Sequence, residues 1–72
     1  MEVRLFATFR EGRGSVVDVQ WREGMDGYAL FALLGIPAEK VAIYLVNGMR
    51  MPPDVILSPD DVIALFPPVG GG

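Results

Sequence analysis

Gly70, Gly71 and Gly72 follow directly on Phe66-Pro67-Pro68-Val69. A run of glycines has no side chains, so it can thread a slot too narrow for any other residue. Pro67 and Pro68 donate no backbone hydrogen bond and favour an extended exit from a domain. Fully stretched, such a three-residue arm spans roughly 10 Å. The pattern predicts a thin arm that holds out the carboxylate of Gly72, with Gly71 giving clearance and Gly70 extending the reach. A carboxylate presented in that way can be chemically activated inside another protein. The competing reading is an ordinary frayed chain end.

The rest of the composition narrows the chemistry further. The chain has no cysteine and no histidine. Thiolate nucleophiles, disulfides, zinc sites of the His/Cys type and the commonest general base are all excluded. No metal site is expected. Any sulfur the chain carried covalently would have no cysteine to occupy, which leaves the C-terminal carbonyl as its natural place. A net charge of −3 and a pI near 4.6 argue against nucleic acid, which needs clustered basic residues. No apolar run approaches the roughly 18 residues of a membrane span, and the N-terminus lacks signal-peptide character. A cytoplasmic protein fits these absences.

The elements that must position the arm follow from periodicity. With 72 residues, 51% of them apolar, the chain makes one small-cored domain, expected over 1–69, with 70–72 as a flexible tail. Val3, Leu5, Ala7 and Phe9 alternate with polar or outward positions and predict a first strand running to Arg10. Glu11-Gly12-Arg13-Gly14 is a turn. Val17, Val19 and Trp21 predict a second, antiparallel strand, broken by Gly24. Tyr28–Leu34 is rich in Ala and Leu with no β-branched residue, and predicts a helix. Asp26 stands at its N-cap and Gly35 at its C-terminal stop. The i, i+3, i+4 spacing puts Leu30, Leu33 and Leu34 on the buried face, with Tyr28 and Phe31 toward its margins.

Val41–Val46 predicts a third strand, Asn47-Gly48 a hairpin turn, and Met49–Met51 a short return strand. Ser58-Pro59-Asp60-Asp61 reads as a turn. Val62–Phe66 is apolar on both faces and belongs in the middle of the sheet. The fold class is α+β, a mixed sheet of four to five strands with one main helix on one face. If the first and last strands are parallel central neighbours with the helix as crossover, this is the β-grasp arrangement of ubiquitin.

On the last strand, Ile63 and Leu65 suit the core. Val62, Ala64 and Phe66 then line the open face. Phe6 lies opposite the core face of the first strand, so Phe6 and Phe66 can form one exposed aromatic patch beside the tail. Such patches mark partner surfaces. Arg10, Arg13 and Arg50 could pair with acidic groups on a partner but read chiefly as solvated surface arginines, Trp21 as an edge of the core, and Asp60-Asp61 as turn chemistry.

Leu5-Phe6-Ala7, Leu34-Gly35-Ile36, Val46-Asn47-Gly48 and above all Asp61–Gly72 resemble the MoaD/ThiS ubiquitin-like sulfur carriers. The Phe66-Pro67-Pro68-Val69 approach is more similar to MoaD than to ThiS. The helix departs from the pattern, since its outer face carries no charge. The resemblance implies a non-catalytic carrier that binds no cofactor. A MoeB/ThiF-type activating enzyme would use MgATP to adenylate Gly72. A persulfide sulfur would displace AMP and leave a thiocarboxylate. A MoaE-type large subunit would then receive the tail, as in molybdopterin synthase. Phe6, Val62, Ala64, Phe66, Pro67, Pro68, Val69 and Gly70 would meet these partners. Other readings are a ThiS-like carrier with a ThiG-type acceptor or a role in tRNA thiolation, a ubiquitin-like modifier, and a plain β-grasp interaction module.

Overall fold

Alternating apolar residues on β1 (Glu2–Leu5) and β5 (Val62–Phe66) form the floor of the core in the computed structural model, which describes residues 1–68. The other elements are β2 (Val16–Asp18), α1 (Gly27–Leu34), β3 (Ile43–Val46) and β4 (Met49–Arg50), with 3-10 turns at Ala7–Arg10 and Ala38–Lys40. The sheet order is β2-β1-β5-β3-β4. β1 and β5 are parallel, and every other neighbouring pair is antiparallel. This is the ubiquitin-like β-grasp, with β5 in the middle as its two apolar faces require. Val3, Leu5, Ile63 and Leu65 are fully buried and meet Leu30 and Phe31 of α1.

The first strand is shorter than the alternation suggests. It ends at Leu5, because Ala7 takes a left-handed conformation (φ 52°) and turns the chain into a 3-10 turn. Phe9 still reaches the core, but from that turn. The second strand likewise stops at Asp18. Val19 stays buried and its amide donates to the Met1 carbonyl at 2.9 Å. Trp21 sits at the core edge as expected, its indole donating to the Leu57 carbonyl at 2.9 Å. The third strand begins at Ile43, since Val41 ends the preceding 3-10 turn.

Both predicted caps of α1 are present. Asp26 accepts from the Ala29 amide at 2.9 Å, and Gly35 adopts φ 70°. The Ile36 amide closes the end on the Phe31 carbonyl, as in a Schellman motif. The rotation of α1 differs from expectation. Leu30 and Phe31 are buried, Leu34 is half-buried, and Leu33 is 59% exposed. The cause is Tyr44, whose ring meets Phe31 edge-on at 5.2 Å. A Cβ at Gly27 would lie 2.9 Å from the tip of the Tyr44 ring. Glycine there lets α1 settle over Tyr44, and this turns Phe31 inward and Leu33 outward.

The β3–β4 turn has positive φ at both Asn47 (54°) and Gly48 (82°), as a type I′ hairpin requires. Asn47 also ties this hairpin to the Ser58–Asp61 turn. Its Oδ1 accepts from the Val62 amide and its Nδ2 donates to Asp61 Oδ1, both at 2.9 Å. Asp61 Oδ2 accepts from the Ser58 amide at 2.7 Å. Asp61 therefore does more than shape its own turn: it fixes where β5 begins.

Two stability measurements check this packing. Ile63→Ala should cost about 2–5 kcal/mol by leaving a cavity in the core. Phe66→Ala, on the other face of the same strand, should cost about 1 kcal/mol, the worth of an aromatic pair. Urea unfolding of both variants reads the order, and the reverse order would mean that Phe66 lies under the helix.

Tyr44 gives the second test. Its hydroxyl is buried without a hydrogen-bond partner. Burial first, then the nearby Asp26 and Asp61 charges, push its pKa up to about 12. Tyr44→Phe should leave stability unchanged or raise it by about 1 kcal/mol at neutral pH. The unfolded phenol titrates near pH 10 and the folded one higher. The Tyr44 contribution is therefore fully present below about pH 10 and lost as pH rises toward 12. Unfolding curves across that window should fall more steeply for the native chain than for Tyr44→Phe.

Candidate functional site

Strand alternation divides β5 between two surfaces. Ile63 and Leu65 go under α1, while Val62, Ala64 and Phe66 are half-buried on the opposite face of the sheet. Register supplies their neighbours. Ile43 lies beside Phe66, and Leu45 beside Ala64. Arg4 flanks Ala64 from the other side, with Val16 beyond it on β2. Arg50 on β4 lies next to Leu45. The open face thus has an apolar middle with arginine on both sides.

The tail-proximal end of this face is aromatic. Past Leu5 the chain stays against β5, where the Phe6 amide donates to the Leu65 carbonyl at 3.2 Å. That contact sets the Phe6 and Phe66 rings in a parallel stack, with centroids 4.2 Å apart and planes 10° apart. The expected patch therefore exists, as a half-buried stack rather than two free rings. Arg10 adds a cation over the Phe6 ring. Its guanidinium carbon is 5.4 Å from the ring centroid, and its Nε donates to the Leu5 carbonyl at 2.9 Å. The left-handed turn at Ala7 brings Arg10 back over Phe6.

The exit of the chain lies beside the stack. The Phe66 carbonyl accepts from the Ala42 amide at 2.9 Å. Pro67 then has no amide to offer, so the ladder cannot continue through it. Pro67 is half-buried and Pro68 is exposed. Val69, Gly70, Gly71 and Gly72 lie outside the described residues.

Of the expected partner residues, Phe6, Val62, Ala64 and Phe66 come together on the open face, and Pro67 and Pro68 follow Phe66 where the strand ends. Ile43 and Leu45 also belong to that face and were missed from the sequence, because their cue is cross-strand register, which a single sequence does not state. Arg10, weighed from the sequence as one of several surface arginines, is brought to it by the 3-10 turn. Arg13 has a different role. Its Nε donates to the Leu34 carbonyl at 3.0 Å and its Nη1 to the Phe9 carbonyl at 3.3 Å, so it caps the C-terminus of α1.

Two clefts, of about 240 and 340 Å³, are lined by residues other than Phe6, Phe66 and Pro67. The stack is instead a half-buried apolar patch on the open face of the sheet. Among the described residues no acidic cluster could hold a metal ion, and no helix is long and apolar enough to cross a membrane.

Comparison with known proteins agrees with this layout. SAMP1 from Haloferax volcanii superposes with a TM-score of 0.76 at 29% identity, over 99% of this chain and 97% of the other. A putative molybdopterin converting factor subunit 1 from Pyrococcus furiosus gives the same TM-score at 24% identity, over 94% and 95%. At that identity the second likeness speaks for the fold alone. None of the curated proteins matches. The ThiS family model matches residues 3–72, which takes in all of the sheet but Glu2, the aromatic stack and the three terminal glycines: the chain belongs to the ThiS family of ubiquitin-fold sulfur carriers.

Proposed function

We propose that this chain is the sulfur-donating small subunit of a molybdopterin synthase, a MoaD-type carrier that acts through Gly72. The observation that carries this reading is the Phe6–Phe66 stack at the last strand residue before Pro67-Pro68. A rigid apolar platform sits where the chain leaves the domain. A partner that docks on it receives the arm at a fixed starting point, which lowers the entropy lost on insertion.

The sequence of steps is short. A MoeB/ThiF-type enzyme binds the platform and draws the arm into its active site. The Gly72 carboxylate attacks the α-phosphorus of MgATP, pyrophosphate leaves, and an acyl-adenylate forms. A persulfide sulfur from another protein displaces AMP. Reductive cleavage of the resulting acyl disulfide by a thiol leaves the thiocarboxylate. A MoaE-type subunit then takes the same arm, and the sulfur passes to a cyclic pyranopterin. Gly70 and Gly71 keep the arm slim enough for both active sites. The carrier supplies no acid, base or metal to any of these steps.

The likeness to SAMP1 favours one second reading, a ubiquitin-like modifier joined through Gly72 to amines on other proteins. Mass spectrometry of protein from its own host separates the two. A terminal thiocarboxylate is about 16 Da heavier than the acid, whereas a modifier leaves an isopeptide remnant on its targets.

Three outcomes test the carrier reading. Deleting Gly72, or adding one alanine after it, should abolish adenylation and change stability by less than about 0.5 kcal/mol. Acyl-adenylate formation at the normal rate by the extended chain would refute an end-on role for Gly72. Phe66→Ala should weaken binding to the activating enzyme by about 1–3 kcal/mol, as loss of an interface anchor does. Reconstitution with purified MoaE-type and ThiG-type proteins decides the acceptor. Molybdopterin is expected with the first, and sulfur transfer only in the thiazole reaction would remove the MoaD assignment.

A further inference from the structure

Arg10 is the one arginine held directly against the aromatic stack. Its Nε is bound to the Leu5 carbonyl, and its guanidinium lies over Phe6, which is stacked on Phe66. Nε carries only one of the five guanidinium N–H donors. Among the described residues, no carboxylate pairs with the others. The other arginines are placed differently. Arg4 is paired with Glu2, and Arg13 is spent on the Leu34 and Phe9 carbonyls. Arg50 stands across the patch beside Leu45 and has no ion pair there either. The chain as a whole is acidic, at −3, so two unanswered cations flanking one apolar patch are a local arrangement.

The geometry points to Arg10 as a carboxylate receptor at the rim of the docking platform. The activating enzyme that binds here presents an apolar side chain to Phe66. Beside it stands an Asp or Glu that pairs with both Nη groups of Arg10, and a further acidic residue faces Arg50. This inference rests on the reading of the platform as the activating enzyme's docking surface. Charge complementarity supports it, and so does preorganisation. The Leu5 carbonyl and the Phe6 ring already fix the guanidinium, so little side-chain freedom is lost when the carboxylate arrives. Docking also removes water from the pair, which strengthens a two-point, charge-assisted contact. Arg50, at the outer margin, contributes more to encounter than to affinity.

The test is the Kd of the full chain for the purified ThiF-type activating enzyme, with circular dichroism confirming that each variant is folded. Arg10→Ala should weaken binding about tenfold or more, and Arg10→Glu further. Arg10→Lys keeps the charge without the fork and should fall between Arg10→Ala and the native chain. Arg22→Glu, which makes the same net-charge change in the loop before α1, should shift Kd by less than about twofold. The slope of log Kd against log salt should be shallower for Arg10→Ala than for the native chain. A native Kd that does not change between about 0.05 and 0.5 M salt overturns the inference even if an Arg10 variant fails to fold. If Phe66→Ala weakens binding and Arg10→Glu does not, the carboxylate receptor is wrong while the docking platform stands. Equal damage from Arg22→Glu and Arg10→Glu overturns it as well, since the effect would then be net charge alone. If neither Phe66→Ala nor Arg10→Glu weakens binding, the platform itself is misplaced and the inference falls with it.

Discussion

The parallel pairing of β1 with β5 is the constraint on which the rest depends. Two parallel neighbours cannot be joined by a tight turn, so the chain between them must cross over one face of the sheet. In a chain this short there is room for one crossover helix, and α1 is that helix. One face of the sheet is therefore covered and the other is not. The same pairing sets the end of β1 against the end of β5. Phe6 and Phe66, at opposite ends of the sequence, become stacked neighbours for that reason.

The two ends of β5 are handled differently. Its start is fixed by the Asn47–Asp61 network, which ties the hairpin and the Ser58–Asp61 turn to Val62. Its end is released at Pro67, where the hydrogen-bonding ladder runs out of donors. A strand anchored at one end and let go at the other holds the register of the patch while leaving Pro67 and Pro68 outside the sheet. Fixing the start also fixes the faces. A slip of one residue would bury Phe66 and expose Leu65.

Much of this was legible in the sequence, and the failures have physical causes. The β-grasp order, both caps of α1, the Asn47-Gly48 hairpin and the facing of β5 followed from turn chemistry and period-two alternation, which are local signals. The rotation of α1 did not follow. A uniformly apolar helix has no polar stripe to mark its outer side, and the deciding contact was between Gly27 and Tyr44, seventeen positions on. The length of β1 was misread because Phe9 is buried from a 3-10 turn and so mimics the next step of the alternation. The lid over Phe6 was invisible for a related reason. Nothing local announces the left-handed Ala7 that swings Arg10 back, because alanine seldom adopts that conformation. The reading of Gly70-Gly71-Gly72 rests on residue types alone and falls on residues outside those described.

The open face poses a problem that its own packing answers. A small domain that leaves apolar side chains uncovered invites nonspecific association. Here Phe6 and Phe66 cover each other, and Arg10 lies over the Phe6 ring. The stack reduces the apolar area left to water, and both phenylalanines are half-buried in the free chain. It also makes the surface rigid, because each ring is held by its neighbour and Arg10 by a backbone carbonyl. If this face docks a partner as proposed, the cover over its apolar area and the definition of the docking surface come from the same three side chains. A partner has little to rearrange before it binds, so less of its contact energy goes into ordering the surface. Tight yet reversible docking is what a carrier must offer if the same arm is to visit an activating enzyme and then an acceptor. A platform of modest area with a fixed cation beside its apolar centre is suited to that alternation, because it gives specificity without the large buried surface of a permanent complex.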